Sequence, residues 1–166
     1  MAAIPLRYYP AKVLRTVAAP VKASRAAEFR QLFFDMAETM AGANGIGLAA
    51  PQVGTLKRVI VVNTSDGPLG LLNPEIADAS TRCDSGEEGC LSIPGVFGLV
   101  KRAHQVKIKA LSIDGEPLDF SASGLFARVL QHEIDHLNGI LFIDRMHKLT
   151  SGADRLRELW RAGTAL

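Results

Sequence analysis

Phe29, Leu32, Phe33, Met36 and Met40 recur at helical spacing, which predicts an amphipathic helix with an apolar face. Ser24 reads as its N-cap, and Gly42-Ala43-Asn44-Gly45 as its stop. The middle of the chain changes period. Arg58-Val59-Ile60-Val61-Val62-Asn63 is short, apolar and β-branched, as a buried strand should be. Leu69 to Ile76 follows, and Asn73-Pro74 within it predicts a strand end or a sheet edge. Val106-Lys107-Ile108-Lys109-Ala110 alternates, which predicts a half-exposed strand. Asp114-Gly115 then marks a hairpin into Pro117-Leu118-Asp119-Phe120. Helical spacing returns near Ser123, with Leu125, Val129, His132 and His136 on one stripe and Asn138-Gly139 at its end. A last helix starting at Thr150 or Ser151 carries Leu156, Leu159 and Trp160. Strands grouped between helices predict an α+β fold. Its antiparallel or mixed β-sheets pack around a central helix, with further helices toward the N- and C-termini.

The chain has 166 residues, which suits one domain over 1–166 with a helical tail from about 148. Apolar residues make up 48%, enough for a real core. A formal charge of +2 predicts no direct nucleic-acid site and no attraction to anionic lipid. No apolar run reaches the roughly 18 residues of a membrane span. The N-terminus lacks the basic start and long apolar stretch of a signal peptide. Cys83 and Cys90 are too few for a disulfide framework. The expectation is a cytoplasmic protein whose thiolates stay reduced.

The stretch Gln131-His132-Glu133-Ile134-Asp135-His136 places two imidazoles one helical turn apart, with a glutamate after the first. Such a pair can grip one metal ion, and the glutamate can carry protons for an activated water. The third ligand decides which hydrolase this is. A histidine six residues beyond His136 would complete one peptidase class, but that position holds Phe142. Glu158, on the last helix, would make a zinc endopeptidase. Cys90, after Gly89 and beside a strand, would give one thiolate and two imidazoles with a fourth position for water.

Three segments together resemble peptide deformylase. They are Gly45-Ile46-Gly47-Leu48-Ala49-Ala50-Pro51-Gln52, Glu88-Gly89-Cys90-Leu91-Ser92 and Gln131 to His136, in the family's order and spacing. The resemblance implies removal of the formyl group from the N-terminal formylmethionine of new polypeptides, with release of formate. It implies Cys90, His132 and His136 as ligands of one divalent ion, Fe2+ as the working metal, and Zn2+, Ni2+ or Co2+ as substitutes. Glu133 would be the proton carrier. The Gln52 side-chain amide and the Leu91 backbone N–H would meet the developing oxyanion. Ile46, Gly47 and Gly89 would contact the N-formylmethionyl peptide through their backbones.

Val129 and Leu125 sit one and two turns before His132 on the same helix stripe, so they are candidate walls for a methionine pocket. Many bacterial members carry an arginine where this chain has Phe97. The flanking Gly95 and Gly98 predict a mobile loop over the cleft. His104 and His147 are expected at the surface, outside the site. The basic residues Lys148, Arg155, Arg157 and Arg161 make the tail a candidate ribosome contact.

Overall fold

The computed structural model describes residues 2–164. Residues 165 and 166, the end of the expected tail, lie outside the described residues, as does residue 1. The helices are α1 (Arg30–Gly42), α2 (Gly124–Leu137), α3 (Phe142–Arg145) and α4 (Ala153–Thr164). The strands are β1 (Gly47–Ala49), β2 (Val59–Thr64), β3 (Gly67–Ala79), β4 (Cys83–Cys90), β5 (Ile93–Ala103), β6 (Gln105–Ser112), β7 (Pro117–Ser123) and β8 (Met146–Ser151). The fold is α+β. One antiparallel sheet runs β1-β2-β3-β6-β7 and a second runs β4-β5-β8.

Helix α2 lies against β1, β2, β3, β6 and β7 of the larger sheet and β5 of the smaller one. Its apolar residues Ala127, Leu130, Ile134 and Leu137 are buried with Ile60, Val62, Leu71 and Ile108. Each such leucine or isoleucine contributes roughly 1.5–3 kcal/mol by leaving water. This apolar face, rather than the expected stripe through Leu125, which is exposed, holds α2 between the sheets, and β4 reaches its histidines through Glu88 and Cys90. The alternation over 106–110 also appears, with Val106, Ile108 and Ala110 inward and their neighbours exposed.

Four local expectations need correction. Ser24 does not cap α1: residues Ala23–Phe29 form a tighter 3-10 helix, and α1 begins at Arg30. Val21 is pinned just before it by two hydrogen bonds to the Asn73 side chain, so tertiary anchoring overrides the local cap signal. Asn73-Pro74 neither ends β3 nor marks an edge. The strand runs through, between β2 and β6. Asn73 takes a positive φ of 50° and the ladder slips register between Leu72 and Glu75, so a bulge absorbs the missing proline donor. The expected mobile loop around Phe97 is β5, the middle strand of its sheet. Val96 and Val100 anchor it in a core with Leu14, Leu141, Phe142, Leu156 and Leu159. Finally, Thr150 and Ser151 belong to β8, and α4 begins at Ala153. Leu156 and Leu159 are buried as expected, but Trp160 is exposed.

Candidate active site

Cys90 is the last residue of β4, directly before the two-residue turn Leu91-Ser92 into β5. That turn points its sulfur at α2. Cys90 Sγ lies 3.4 Å from His136 Nε2, which lies 3.2 Å from His132 Nε2. The three ligand atoms all fall within 4.8 Å of one another. Burial, and then the neighbouring His132, lower the pKa of His136 and favour the neutral ring that ligates. The donor set, one thiolate sulfur and two imidazole nitrogens, suits a divalent transition-metal ion with a position left open.

A charged layer supports these ligands. His132 Nδ1 lies 2.9 Å from Glu88 Oε2, so its N–H is held there and Nε2 faces Cys90. Arg102 donates to both oxygens of Glu88, at 2.9 and 3.0 Å, and Arg128 adds a third bond at 2.9 Å. Arg102 also reaches Asp135 at 2.6 Å, and Arg145 donates twice to Asp135 from the other side. Burial acts to raise the pKa of Glu88, but the bonds from His132 and Arg102 prevail and bring it to about 2. Sequence reasoning quoted Glu88 and Asp135 without a role and missed Arg102, Arg128 and Arg145. The available signal was a run of charged residues on segments that also carry core positions.

Glu133 is buried, at 4% exposure, not solvated on an outer helix face. Its Oε2 is a buried oxygen without a hydrogen-bond partner among the described residues. Burial pushes its carboxyl up to about 7. Gly47 makes room for it: a Cβ at position 47 would lie 2.9 Å from Glu133 Cδ and closer still to Oε1. Only glycine lets the β1 backbone pass this near the carboxylate.

Gln52 sits in the 3-10 turn Ala50–Val53 after β1. Its Oε1 accepts from the Ala49 N–H at 2.9 Å, and its Nε2 donates to Cys90 Sγ at 3.4 Å and Ser92 Oγ at 3.1 Å. A cleft of about 480 Å³ opens beside these groups. Ile46, Gly47, Gly89, Leu91, Leu125 and Val129 all line it, together with Gln52, Cys90, His132 and Glu133. Phe97 also lines it, with its ring so close over Gly89 that a Cβ there would come within 2.6 Å. Every residue that the resemblance or the α2 stripe proposed for ligand, proton or pocket work thus borders one cleft or its ligand cluster.

Glu158 does not. It is an exposed residue of α4, paired with Arg155 at 3.4 Å, and it is absent from the ligand cluster. The endopeptidase alternative therefore loses its third ligand. His104 pairs with Asp84, and His147 lies 2.8 Å from Ser85 Oγ, both away from the cleft.

The family model described as polypeptide deformylase matches residues 3–151. A peptide deformylase of Desulfitobacterium hafniense is 50% identical over 137 residues, covering 82% of this chain and 90% of that protein. One from Thermodesulfovibrio yellowstonii is 46% identical over 166 residues, covering 97% and 96%. The crystal structure of the Thermotoga maritima peptide deformylase superposes with a TM-score of 0.84 at 39% identity, covering 88% of this chain and 99% of that one. An Acinetobacter baumannii peptide deformylase bound to Met-Ala-Ser gives 0.83 at 41% identity, covering 87% and 100%.

Proposed function

We infer how this site works from one premise: the chain belongs to the polypeptide deformylase family. It is a metal-dependent hydrolase that removes the formyl group from N-formylmethionyl peptides. The reading of the residues rests most on one observation, the convergence of Cys90, His132 and His136 beside the buried Glu133.

Cys90 Sγ, His132 Nε2 and His136 Nε2 would hold a divalent cation, which when bound would supply the Lewis acidity that lowers the pKa of water toward neutrality and polarises the formyl carbonyl. Glu133 accepts the proton of the attacking water at its carboxylate and returns it to the departing amine nitrogen. The water oxygen bonds to the formyl carbon, the C–N bond breaks, and formate and a free amine leave. As charge builds on the formyl oxygen, the Gln52 amide N–H and the Leu91 backbone N–H donate to it, each worth about 3 kcal/mol in barrier. Glu88 keeps His132 in the tautomer that ligates.

The methionine side chain enters the cleft between Leu125 and Val129, and the backbones of Ile46, Gly47 and Gly89 bind the peptide in extended form. Phe97 replaces a cationic contact with an apolar one at the outer end. The working ion is Fe2+, with Zn2+, Ni2+ and Co2+ as substitutes, and a thiolate on iron makes the site sensitive to oxidation. The protein works in the cytoplasm as one catalytic domain, 1–166. Its basic tail from about 148 is a candidate contact with the ribosome, where such substrates emerge.

The test is formate release from a formyl-Met peptide by the metal-loaded wild type and by Glu133→Ala. Release by the wild type, and loss in the variant at equal metal content, supports these roles. A variant as active as the wild type removes Glu133 from the chemistry.

A further inference from the structure

The carboxamide of Gln52 is held at both ends. Its Oε1 accepts from Ala49 N–H at 2.9 Å, while Nε2 donates to Ser92 Oγ at 3.1 Å and toward Cys90 Sγ at 3.4 Å. Gln52 is 2% exposed and Ser92 is 0% exposed, so bulk water does not compete for these bonds. An amide nitrogen carries two protons in one plane. The Ala49 bond fixes one end of that plane and leaves it free to tilt. Once Ser92 Oγ takes one proton, the tilt is set, and the other proton is directed at the sulfur of a metal ligand.

Ser92 is itself held in place by a strap. The Tyr9 N–H donates to the Ser92 carbonyl at 2.9 Å, and the Arg7 N–H donates to the Gln52 carbonyl at 2.7 Å. One segment near the N-terminus thereby ties together two turns that stand 40 residues apart in sequence.

We propose that Ser92 is a positioning residue: its hydroxyl sets the plane of the Gln52 amide and so holds the second N–H beside Cys90 Sγ, where the formyl oxygen can share that proton. The proposal rests on the reading of Gln52 as a donor to the formyl oxygen. Without the hydroxyl, a buried N–H loses its acceptor and the amide can turn. A misaimed donor weakens binding of the transition state more than of the substrate, so kcat falls and KM holds.

The test uses zinc-loaded wild type, Ser92→Ala, Gln52→Ala and the double variant. Ser92→Ala lowers kcat about tenfold, the scale of one hydrogen bond, with KM within about twofold and zinc content unchanged. In the Gln52→Ala background the same substitution costs nothing further. The side-chain 15N–H resonances of Gln52, identified by their absence in Gln52→Ala, shift in Ser92→Ala. Ser92→Cys fills the space with a weak acceptor and reproduces the loss, and it carries the test if the alanine variant does not fold. Equal losses in both backgrounds, a rise in KM alone, or unmoved Gln52 resonances would overturn the proposal. A wild type that releases no formate defeats the functional reading instead, and the resonance shift still decides whether Ser92 orients Gln52.

Discussion

Glu88 holds His132: its Oε2 lies 2.9 Å from the imidazole Nδ1, and both side chains are nearly sealed from solvent. Arg102 grips the same carboxylate through two nitrogens. Replacing Glu88 with Ala frees the ring to rotate and leaves Arg102 facing Asp135 with half its partners gone. Metal affinity should fall about 10–100-fold, as read by competition with a chromophoric chelator. Stability should fall by about 3–5 kcal/mol, the usual cost of breaking a buried ion pair from one side, as read by urea unfolding.

Gly47 touches Glu133 so closely that a single methyl group intrudes. Gly47→Ala would bring a Cβ to 2.9 Å from Glu133 Cδ. The carboxylate must move, and misplacement by about 1 Å costs on the order of 10²-fold in rate. We expect kcat to fall by that factor while metal content stays at the wild-type level. Steady-state kinetics with elemental analysis checks both, and an unchanged kcat would show that the carboxylate has room to spare.

The third ligand can be tested by two substitutions in parallel. Cys90→Ala should strip the metal during dialysis, since two imidazoles alone hold it poorly. Glu158→Ala should leave metal content and activity as they are, because Glu158 pairs with Arg155 on an exposed helix face, outside the ligand cluster. The opposite pattern would restore the endopeptidase reading.

Asp144 joins the chain's early segment to α3. Arg15 donates to both of its oxygens, at 2.5 and 3.0 Å, and the Leu141 N–H adds a bond at 2.9 Å. Partial burial acts to raise the pKa of Asp144, but the bonds from Arg15 and Leu141 prevail and lower it. A carboxylate with a depressed folded pKa stabilises the protein above its unfolded value, near 3.9, and loses that contribution as pH falls through the folded value. Asp144→Asn should therefore lower the melting temperature by a constant amount above about pH 5, and the gap should close below about pH 4. The pair is more than a third exposed, so salt should narrow the gap as well. A gap that widens in acid would contradict this assignment.

Much of the site was legible because its parts are short and local. Two histidines one turn apart on a helix share a face whatever surrounds them, so His132, Glu133 and His136 could be read from spacing alone. The alternation of β6 follows from the same rule, since periodicity is a property of a single segment. Cys90 needed more: as one of two possible third ligands, with Glu158, it was chosen by resemblance, and the hairpin from β4 to β5 then brought its sulfur to the imidazoles.

What the chain does alone is set out each element's apolar face and put ligands where one helix can present them. What tertiary structure decided is everything that depends on pairing between distant segments. The register of β4 on β5 and their packing on α2 bring Glu88, Arg102 and Asp135 together, and a bulge lets Pro74 stay in a central strand. The burial of Glu133 belongs to the same set, because β1 comes from a different part of the chain to cover it. Desolvation and charge pairing depend on which atoms meet in space, and no local pattern of residue types encodes those distances.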